Sequence, residues 1–360
     1  MKAFIYPIII ALLFCYSCSE NETITEPDPA EAAIYFPPFN SNIWAIKSIS
    51  ELGWNESELQ PLLDFLEDNN TKSFMILYDG KIVIEEYMHG HDATKLWYWA
   101  SAGKTLTTTL SGIAQEEAFI DINNKVSDYL GTGWTSAPLE KENLITCKNL
   151  LSMNSGLDDS IDAVENPEDL QYEADAGTRW AYHNVYKKMQ DVIASASGST
   201  FVSYFNTKLR DKIGMTNTAG GWLQLGNFNV YWSNTRSMAR FGLMIYANGK
   251  WGNTQIVSET FLNEATNTSQ DINKSYGYLW WLNGKSSYHL PQSQFEFSDE
   301  LIPNAPNDMY AALGKNDQKI YVVHSKKLVV IRMGEAADNE VFALSSFDND
   351  LWGRLNTLIN

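Results

Sequence analysis

Two pairs of strand-like segments, one towards each end of the chain, constrain the fold more than any other feature. Residues 73–77 and 81–87 flank Asp79-Gly80, a dipeptide typical of a two-residue β-hairpin turn. Residues 319–323 and 328–333 have the same apolar, β-branched character. Strands that lie at both ends of a chain complete one sheet most simply by pairing with each other. We therefore expect an antiparallel sheet built from both ends of the chain.

Helical periodicity occupies most of the sequence between and around these strands. Leucines recur at helical spacing over residues 59–66, where Pro61 indicates a helix start or a kink, and apolar residues do so again over 347–355. A long helical stretch, roughly 106–248, separates the hairpins, and we assign its central part, about 115–235, to a helical subdomain. The fold class is therefore α+β, with helices flanking the sheet.

The first residues predict export. A lysine at position 2 and an apolar run up to residue 16 fit a signal peptide over 1–17, since the run is short for a membrane span. Ser17-Cys18 resembles the lipobox of bacterial lipoproteins, with Cys18 as the acylated residue. Cys15 is the poorer candidate because bulky Phe14 precedes it, and a cleaved signal without lipid is the alternative. Residues 18–34 are polar and proline-containing, as in a flexible tether, and 35–360 form a single globular domain.

These features predict an exported bacterial lipoprotein, held at the outer membrane by its N-terminal lipid alone. Lipidation would leave Cys147 as the remaining thiol, and we interpret it as buried filler, since one cysteine cannot form an intramolecular disulfide. The net charge of −18 argues against a nucleic-acid partner, because phosphate binding needs clustered Lys and Arg.

Ser101-Ala102-Gly103-Lys104 opens an amphipathic helix. A serine and a lysine three residues apart lie on one helix face, so the hydroxyl and the amine can meet. Burial favours the neutral amine, the form that can accept a proton from the serine. The helix N-terminus also offers N–H groups to a developing oxyanion. A phosphate-loop interpretation of Gly103-Lys104 fails, because the required earlier glycine is replaced by Tyr98.

Two further segments carry groups that fit acyl transfer. Tyr182-His183-Asn184 follows a turn that contains Gly177; the phenol can relay protons, and the amide of Asn184 can orient the lysine. Gly314-Lys315 precedes the strand at 319–323. Glycine there would let a substrate carbonyl approach, and the Lys315 N–H could share an oxyanion hole with the Ser101 N–H. A plain turn is the alternative for this last segment.

Ser-x-x-Lys, then Tyr-x-Asn, then a glycine at a sheet edge, in this order, resembles the serine β-lactamase and penicillin-binding-protein superfamily. Within this superfamily the sequence most resembles the class C-like branch, and the resemblance covers about residues 40–358. It implies a β-lactamase/transpeptidase-like fold and an acyl-enzyme on Ser101, with Lys104 and Tyr182 sharing acid and base duties. It implies no cofactor.

The sheet edge departs from the penicillin-recognising members, which carry Lys-Thr-Gly or His-Thr-Gly. Residues 314–318 are more similar to the Gly-x-x-Gly-Gln of 6-aminohexanoate-dimer hydrolases and related esterases, with Asp317 in place of the second glycine. The resemblance therefore favours a small ester or amide substrate. A hydrolase of cell-wall D-Ala peptides or β-lactams, and a lipoprotein that only binds ligands, are the alternatives. Loop 286–308 is expected to influence specificity.

Other constellations are weaker. The five histidines are scattered, and His89-Gly90-His91 lacks a carboxylate at metal-ligand spacing, so we predict no metal site. Four tryptophans are assigned to core packing rather than to a pocket: Trp97, Trp99, Trp280 and Trp281.

Overall fold

The computed structural model describes residue 1 and residues 33–39, 43–215, 220–226, 228–337 and 344–359. Ile34–Asn360 form one compact unit. The predicted signal peptide, Cys18 and nearly all of the tether lie outside the described residues. No helix among the described residues combines the length and apolar character needed to cross a membrane.

Within the described residues this unit contains thirteen strands and ten α-helices. The strands are β1 (Thr71–Tyr78), β2 (Lys81–Tyr87), β3 (Trp97–Tyr98), β4 (Gly221–Leu225), β5 (Phe228–Ser233), β6 (Lys250–Trp251), β7 (Thr254–Gln255), β8 (Trp281–Leu282), β9 (Ser287–Tyr288), β10 (Phe297–Ser298), β11 (Tyr310–Gly314), β12 (Gln318–Val323) and β13 (Leu328–Gly334). The α-helices are α1 (Leu59–Asp68), α2 (Lys104–Glu116), α3 (Ser127–Leu130), α4 (Leu139–Glu142), α5 (Cys147–Leu151), α6 (Lys188–Ser197), α7 (Phe201–Phe205), α8 (Thr235–Tyr246), α9 (Glu259–Ala265) and α10 (Ser346–Ile359).

The main sheet has six strands in the order β2-β1-β13-β12-β11-β8. Both predicted hairpins are confirmed, and they meet where β1 pairs antiparallel with β13, placing Phe74 opposite Arg332. The turn between β1 and β2 takes positive φ at Asp79 (45°) and Gly80 (83°), as two-residue hairpin turns require. The two ends of the chain therefore complete one sheet, and the α+β fold class is confirmed.

Helices cover both faces of this sheet. Successive residues of a strand point to opposite faces, so Ile320 lies on one face and Lys319 and Tyr321 on the other. Helix α8 covers the first face, where Gly242 is so close that a Cβ would lie 2.7 Å from Val329. Helix α10 covers the second face, where Asp348 binds both Lys319 and Tyr321. The central strands are buried throughout as a result.

The segment predicted as helical is not helical throughout. It holds α2 to α8, but β4 and β5 interrupt it and pair with β3 as a separate three-stranded sheet. Residues 228–232, Phe-Asn-Val-Tyr-Trp, explain the exception, because aromatic and β-branched residues favour a pleated surface. This small sheet adjoins the Ser101 segment in the chain, because β3 ends at Tyr98, three residues before Ser101. Loop 286–308 is likewise not wholly irregular, because it contains the short pair β9 and β10.

Candidate active site

Ser101 lies in a short 3₁₀ helix, Ala100–Gly103, that continues into α2. Trp99 fixes its start: this ring is fully buried, its backbone N–H donates to Tyr231 at 2.8 Å, and its indole N–H donates to Ser233 at 2.9 Å. Ala100 has φ of 46°, in the left-handed region that costs a residue with a Cβ free energy. Because Ala100 keeps this unfavourable conformation directly before the partly exposed Ser101, the surrounding structure must hold the Ser101 backbone in place.

Lys104 meets Ser101 as the Ser-x-x-Lys spacing predicts. Its Nζ lies 2.8 Å from the Ser101 Oγ. The side chain begins a helix whose residues 104–114 are all buried, and Lys104 itself is only 4% exposed. Burial, together with the nearby charge of Lys187, lowers the Lys104 pKa from 10.5 to about 7. A large fraction of this amine is therefore neutral at physiological pH.

Tyr182 is brought to the same place from a segment 80 residues further along the chain. Trp180 anchors that segment as a fully buried side chain, and the Ala181 N–H donates to Met153 at 2.8 Å. The Tyr182 ring then stacks on Trp281 with centroids 5.8 Å apart. Burial raises the Tyr182 pKa to about 12, although its hydrogen bond with Ser101 acts in the opposite direction. The three predicted side chains converge on one point, and the phenol is protonated at neutral pH.

The edge of the main sheet forms the opposite wall. Gly314 ends β11 beside the 3₁₀ helix: a Cβ there would overlap the Trp99 carbonyl oxygen and lie 3.0 Å from the Ala102 nitrogen. Only glycine permits this approach of strand to helix. Lys315 follows in the exposed turn between β11 and β12. The backbone that carries the Lys315 N–H therefore passes close to the backbone that carries Ser101.

The turn after Lys315 is rigidly built. Asn316 and Asp317 both adopt left-handed backbone, with φ of 59° and 58°. The side-chain amide of Asn316 donates to the Tyr98 hydroxyl at 2.7 Å, and the backbone carbonyl oxygen of Asn316 accepts from Arg332 at 3.0 Å. Gln318, the last residue of the glutamine-containing motif, is buried and donates to the Gly334 carbonyl at 2.6 Å. Gln318 therefore holds strands together and does not face the crevice.

Asp317 has a structural role that its place in the motif did not predict. Its carboxylate lies 3.1 Å from the Lys319 ammonium and accepts hydrogen bonds from Ala337 (3.0 Å) and Ser345 (2.8 Å). Burial raises the Asp317 pKa, but the positive charges of Lys319 and Arg332 and these hydrogen bonds outweigh burial, so its pKa is lowered. The residue that replaces a glycine here is an inward-facing anion.

The other two members of the Tyr-x-Asn segment form hydrogen bonds with a neighbouring loop. The Asn184 amide donates to the backbone carbonyl of Asp162 at 3.2 Å, so no hydrogen bond supports its predicted role of orienting Lys104. The His183 Nε2 lies 2.9 Å from the Ile161 carbonyl. Both side chains fasten the loop at 158–165 to the Tyr182 segment, and an ion pair of 2.6 Å between Arg179 and Asp159 does the same.

Two residues near Lys104 were missed by the sequence analysis. Tyr186 places its ring centroid 4.7 Å from the Lys104 Nζ. Tyr276 is fully buried, its ring packs against Tyr182 with centroids 6.2 Å apart, and its hydroxyl has no hydrogen-bond partner among the residues that the structure describes. The sequence offered no local signal for Tyr186, because Tyr182 lies outside the 3₁₀ helix Asn184–Lys187 that carries it.

The remaining predictions near the site concern packing. Cys147 is buried, and burial raises its pKa to about 12, so it is inert filler as predicted. Trp99, Trp280 and Trp281 are buried in the core as predicted, whereas Trp97 is half-buried. Trp281 does more than fill space, since it supports the Tyr182 ring.

Comparisons with known proteins agree with this fold. A family model described as Beta-lactamase matches residues 70–333, more than two thirds of the chain. Among solved structures, a proposed 6-aminohexanoate-dimer hydrolase from Bacillus anthracis superposes with a TM-score of 0.66 at 18% identity, covering 90% of this chain and 89% of that one.

Two further solved structures share the architecture. A proposed β-lactamase from Bacteroides dorei DSM 17855 gives a TM-score of 0.65 at 15% identity, covering 85% of this chain and 99% of that one. EstCE1, a hydrolase with promiscuous acyltransferase activity, gives 0.62 at 12% identity, covering 87% and 99%. No curated protein sequence matches the chain. The family match, on the fold described above, shows that this chain belongs to the β-lactamase family, whose members are in general serine hydrolases.

Proposed function

We propose that this protein hydrolyses an ester or a small amide through an acyl-enzyme on Ser101. One observation carries the proposal: the 2.8 Å contact between the Ser101 Oγ and a buried Lys104 whose pKa is lowered to about 7. A serine hydroxyl is a weak nucleophile until a base removes its proton. An amine that is neutral near pH 7 and in hydrogen-bond reach of the hydroxyl is such a base.

The pKa values divide the work between the two partners of Ser101. With a pKa of about 12, the Tyr182 phenol stays protonated at neutral pH, whereas much of Lys104 is neutral. Lys104 therefore takes the serine proton as Ser101 attacks the substrate carbonyl. Tyr182 donates its proton to the departing alcohol or amine and regains one from Lys104. Water then attacks the acyl-enzyme, and the same groups move protons in reverse to release the acid and free Ser101.

The oxyanion formed in each half-reaction needs donors that are fixed in advance. The backbone N–H groups of Ser101 and Lys315 fill this role in the proposal. Gly314 supports it, because the absence of a Cβ lets β11 approach the 3₁₀ helix. The turn of Asn316 and Asp317, fixed by Arg332 and Lys319, keeps the Lys315 backbone in one position.

The sheet edge favours esters and small amides over β-lactams within this proposal. Penicillin-recognising members carry Lys-Thr-Gly or His-Thr-Gly at this edge, and residues 310–318 of this chain, Tyr-Ala-Ala-Leu-Gly-Lys-Asn-Asp-Gln, contain neither. Neither Asn316 nor Asp317 has a hydroxyl to offer a substrate carboxylate, and their side chains are bonded to Tyr98 and Lys319 respectively. The finer assignment to a class C-like enzyme also remains a proposal, supported by the order of the three motif segments.

A labelling experiment tests the nucleophile. A fluorophosphonate probe should label the wild-type protein and not Ser101→Ala. Ser111→Ala is the matched control, because Ser111 is a fully buried serine further along α2 that bonds only to the Thr107 carbonyl. Absence of labelling in the wild-type protein would contradict the proposal and favour a protein that only binds ligands, and equal labelling of Ser101→Ala would place the reactive nucleophile at another residue.

Substrate class is tested by comparing turnover of p-nitrophenyl esters, a chromogenic cephalosporin and D-Ala-D-Ala peptides by the wild-type protein. Ester turnover should exceed the other two, with Ser101→Ala as the background. Cephalosporin or peptide turnover far above ester turnover would assign the enzyme to β-lactams or cell-wall peptides instead.

We also propose that the protein is exported and anchored by lipid on Cys18, with no nucleic-acid partner. The sequence Phe14-Cys15-Tyr16-Ser17-Cys18 supports the anchor. Cells fed an alkyne-tagged fatty acid should label the full chain and not Cys18→Ala. Labelling that persists in Cys18→Ala would move the modification to another residue.

A further inference from the structure

The Lys104 ammonium lies between two aromatic rings. Its Nζ is 4.8 Å from the Tyr182 ring centroid and 4.7 Å from the Tyr186 ring centroid, both within the range of cation–π attraction. No carboxylate among the described residues forms an ion pair with it, and the side chain is 4% exposed. Besides the Ser101 hydroxyl, which accepts a hydrogen bond from the amine, the two rings are the groups shown in contact with Lys104 that favour its charged form.

We propose that Tyr186 is a positioning residue whose ring face stabilises protonated Lys104 and so sets the pH at which the base becomes available. This inference rests on the proposed function, because it assigns Tyr186 a task in the same site. Tyr186 is suited to the task by its ring and not by its hydroxyl. Burial raises the Tyr186 pKa, so the phenol stays uncharged at neutral pH and acts on Lys104 through its π-system.

The other groups around Lys104 act in known directions. Burial and the positive charge of Lys187 both favour the neutral amine. Lys187 is itself 3.5 Å from Glu165, which offsets part of its charge. Ser101 and Tyr182 contribute uncharged hydroxyls, and Tyr276 lies behind the Tyr182 ring. Burial and Lys187 thus favour loss of the Lys104 proton, whereas the aromatic ring faces favour its retention. A base with a pKa near the working pH is the most effective, and a further fall would leave a weaker base.

The test compares Tyr186→Leu with Tyr186→Phe. Phenylalanine keeps the ring, and leucine removes it. The rate constant for fluorophosphonate labelling of Ser101 is measured between pH 5 and 9, where it should rise as Lys104 loses its proton. Wild type and Tyr186→Phe should share one midpoint. In Tyr186→Leu the midpoint should fall by about one pH unit, the value expected when one desolvated cation–π contact is lost.

A second readout does not depend on catalysis. The ¹³Cε signal of Lys104, assigned with Lys104→Met, should titrate with the same shift of about one pH unit to lower pH in Tyr186→Leu. If the wild type is never labelled, the proposed function fails, while this titration still tests the role of Tyr186. If Tyr186→Leu does not fold, fluorinated phenylalanines at position 186 keep the shape of the ring, weaken its negative face and should lower the midpoint stepwise.

Tyr78→Leu is the matched control. Its ring lies 5.3 Å from the Lys47 ammonium, also in cation–π range, but Tyr78 is in β1, three strands away from β11. This substitution should leave the midpoint where it is. An unchanged midpoint in Tyr186→Leu, or an equal fall in Tyr186→Phe, would overturn the inference.

Discussion

Two buried lysines lie in contrasting surroundings. Lys104 is 4% exposed and lies among a serine hydroxyl and two aromatic rings, without a carboxylate. Lys319 is fully buried beneath the turn that carries Lys315, and two carboxylates bind it, Asp348 at 2.7 Å and Asp317 at 3.1 Å. Both lysine side chains are thus buried, but only Lys319 has carboxylates beside it that compensate its positive charge.

The difference separates chemistry from architecture. A buried ammonium without a counter-ion loses its proton easily, which is what a base needs. A buried ammonium between two carboxylates forms a charged cluster that depends on all its members, because each would otherwise be an unpaired buried charge. Lys104 should therefore matter to activity and little to stability, and Lys319 the reverse. Substitution of lysine by methionine tests the prediction for Lys104 and for Lys319, because a methionine side chain is similar to a lysine side chain in length and volume.

The largest effect is expected for Lys104→Met. Without the base, kcat/KM for the preferred ester should fall by about 10⁴-fold, the upper end of what a positioned base contributes. The free energy of unfolding should be equal to or above that of wild type, because an apolar side chain replaces a buried amine. Steady-state kinetics and urea denaturation measure the two quantities. A stable variant with near-wild-type activity would remove Lys104 from the mechanism.

Lys319→Met should lose stability instead. Asp317 and Asp348 would remain buried without their shared cation, and the expected loss is about 3–5 kcal/mol in the free energy of unfolding. Activity per folded molecule should change far less than in Lys104→Met. Urea denaturation and active-site titration with the fluorophosphonate separate the two effects. Stability equal to wild type would show that the cluster tolerates unpaired carboxylates and would weaken the comparison.

The sheet and its hairpins could be predicted from the sequence because local signals agreed with the final fold. Asp79-Gly80 specifies a tight turn, and apolar β-branched strands flank it. The strands β4 and β5 could not be separated from the helices around them. They are short and pair with each other, and only β5 also pairs with β3, a contact between residues more than 100 positions apart that no local pattern records.

The site was predictable to the extent that its residues are neighbours in sequence. Ser101 and Lys104 meet through helix geometry alone, so spacing was sufficient. The hydrogen bond of Asn184 depends on Asp162, 22 positions earlier in the chain, and the buried carboxylate of Asp317 depends on Ala337 and Ser345, 20 and 28 positions later. The motif comparison identified Asp317 only as a replacement for a glycine, whereas the structure shows an ion cluster there.

Tyr182→Phe should have a smaller effect on activity than loss of the base. The ring, its stacking on Trp281 and its contact with Lys104 would remain, and only the proton relay would be lost. We expect kcat to fall by about 10²-fold, with less loss for esters of acidic alcohols, whose leaving groups need no proton. A series of esters with alcohols of different pKa measures this. Equal losses across the series would assign Tyr182 to a step other than leaving-group protonation.

The smallest effect expected is a dependence of stability on pH that belongs to Lys104 alone. The unfolded chain keeps the Lys104 proton up to about pH 10.5, whereas the folded protein releases it near pH 7. Between these values the unfolded state binds more protons, so rising pH should stabilise the folded state by about 1 kcal/mol per pH unit. Lys104→Met lacks this contribution, and all other groups are shared. The free energy of unfolding of wild type minus that of the variant, measured in urea at pH 7, 8 and 9, should therefore rise with pH. Parallel curves would mean that the buried amine keeps its proton in the folded protein, and Lys104 would then resemble Lys319 in its charge.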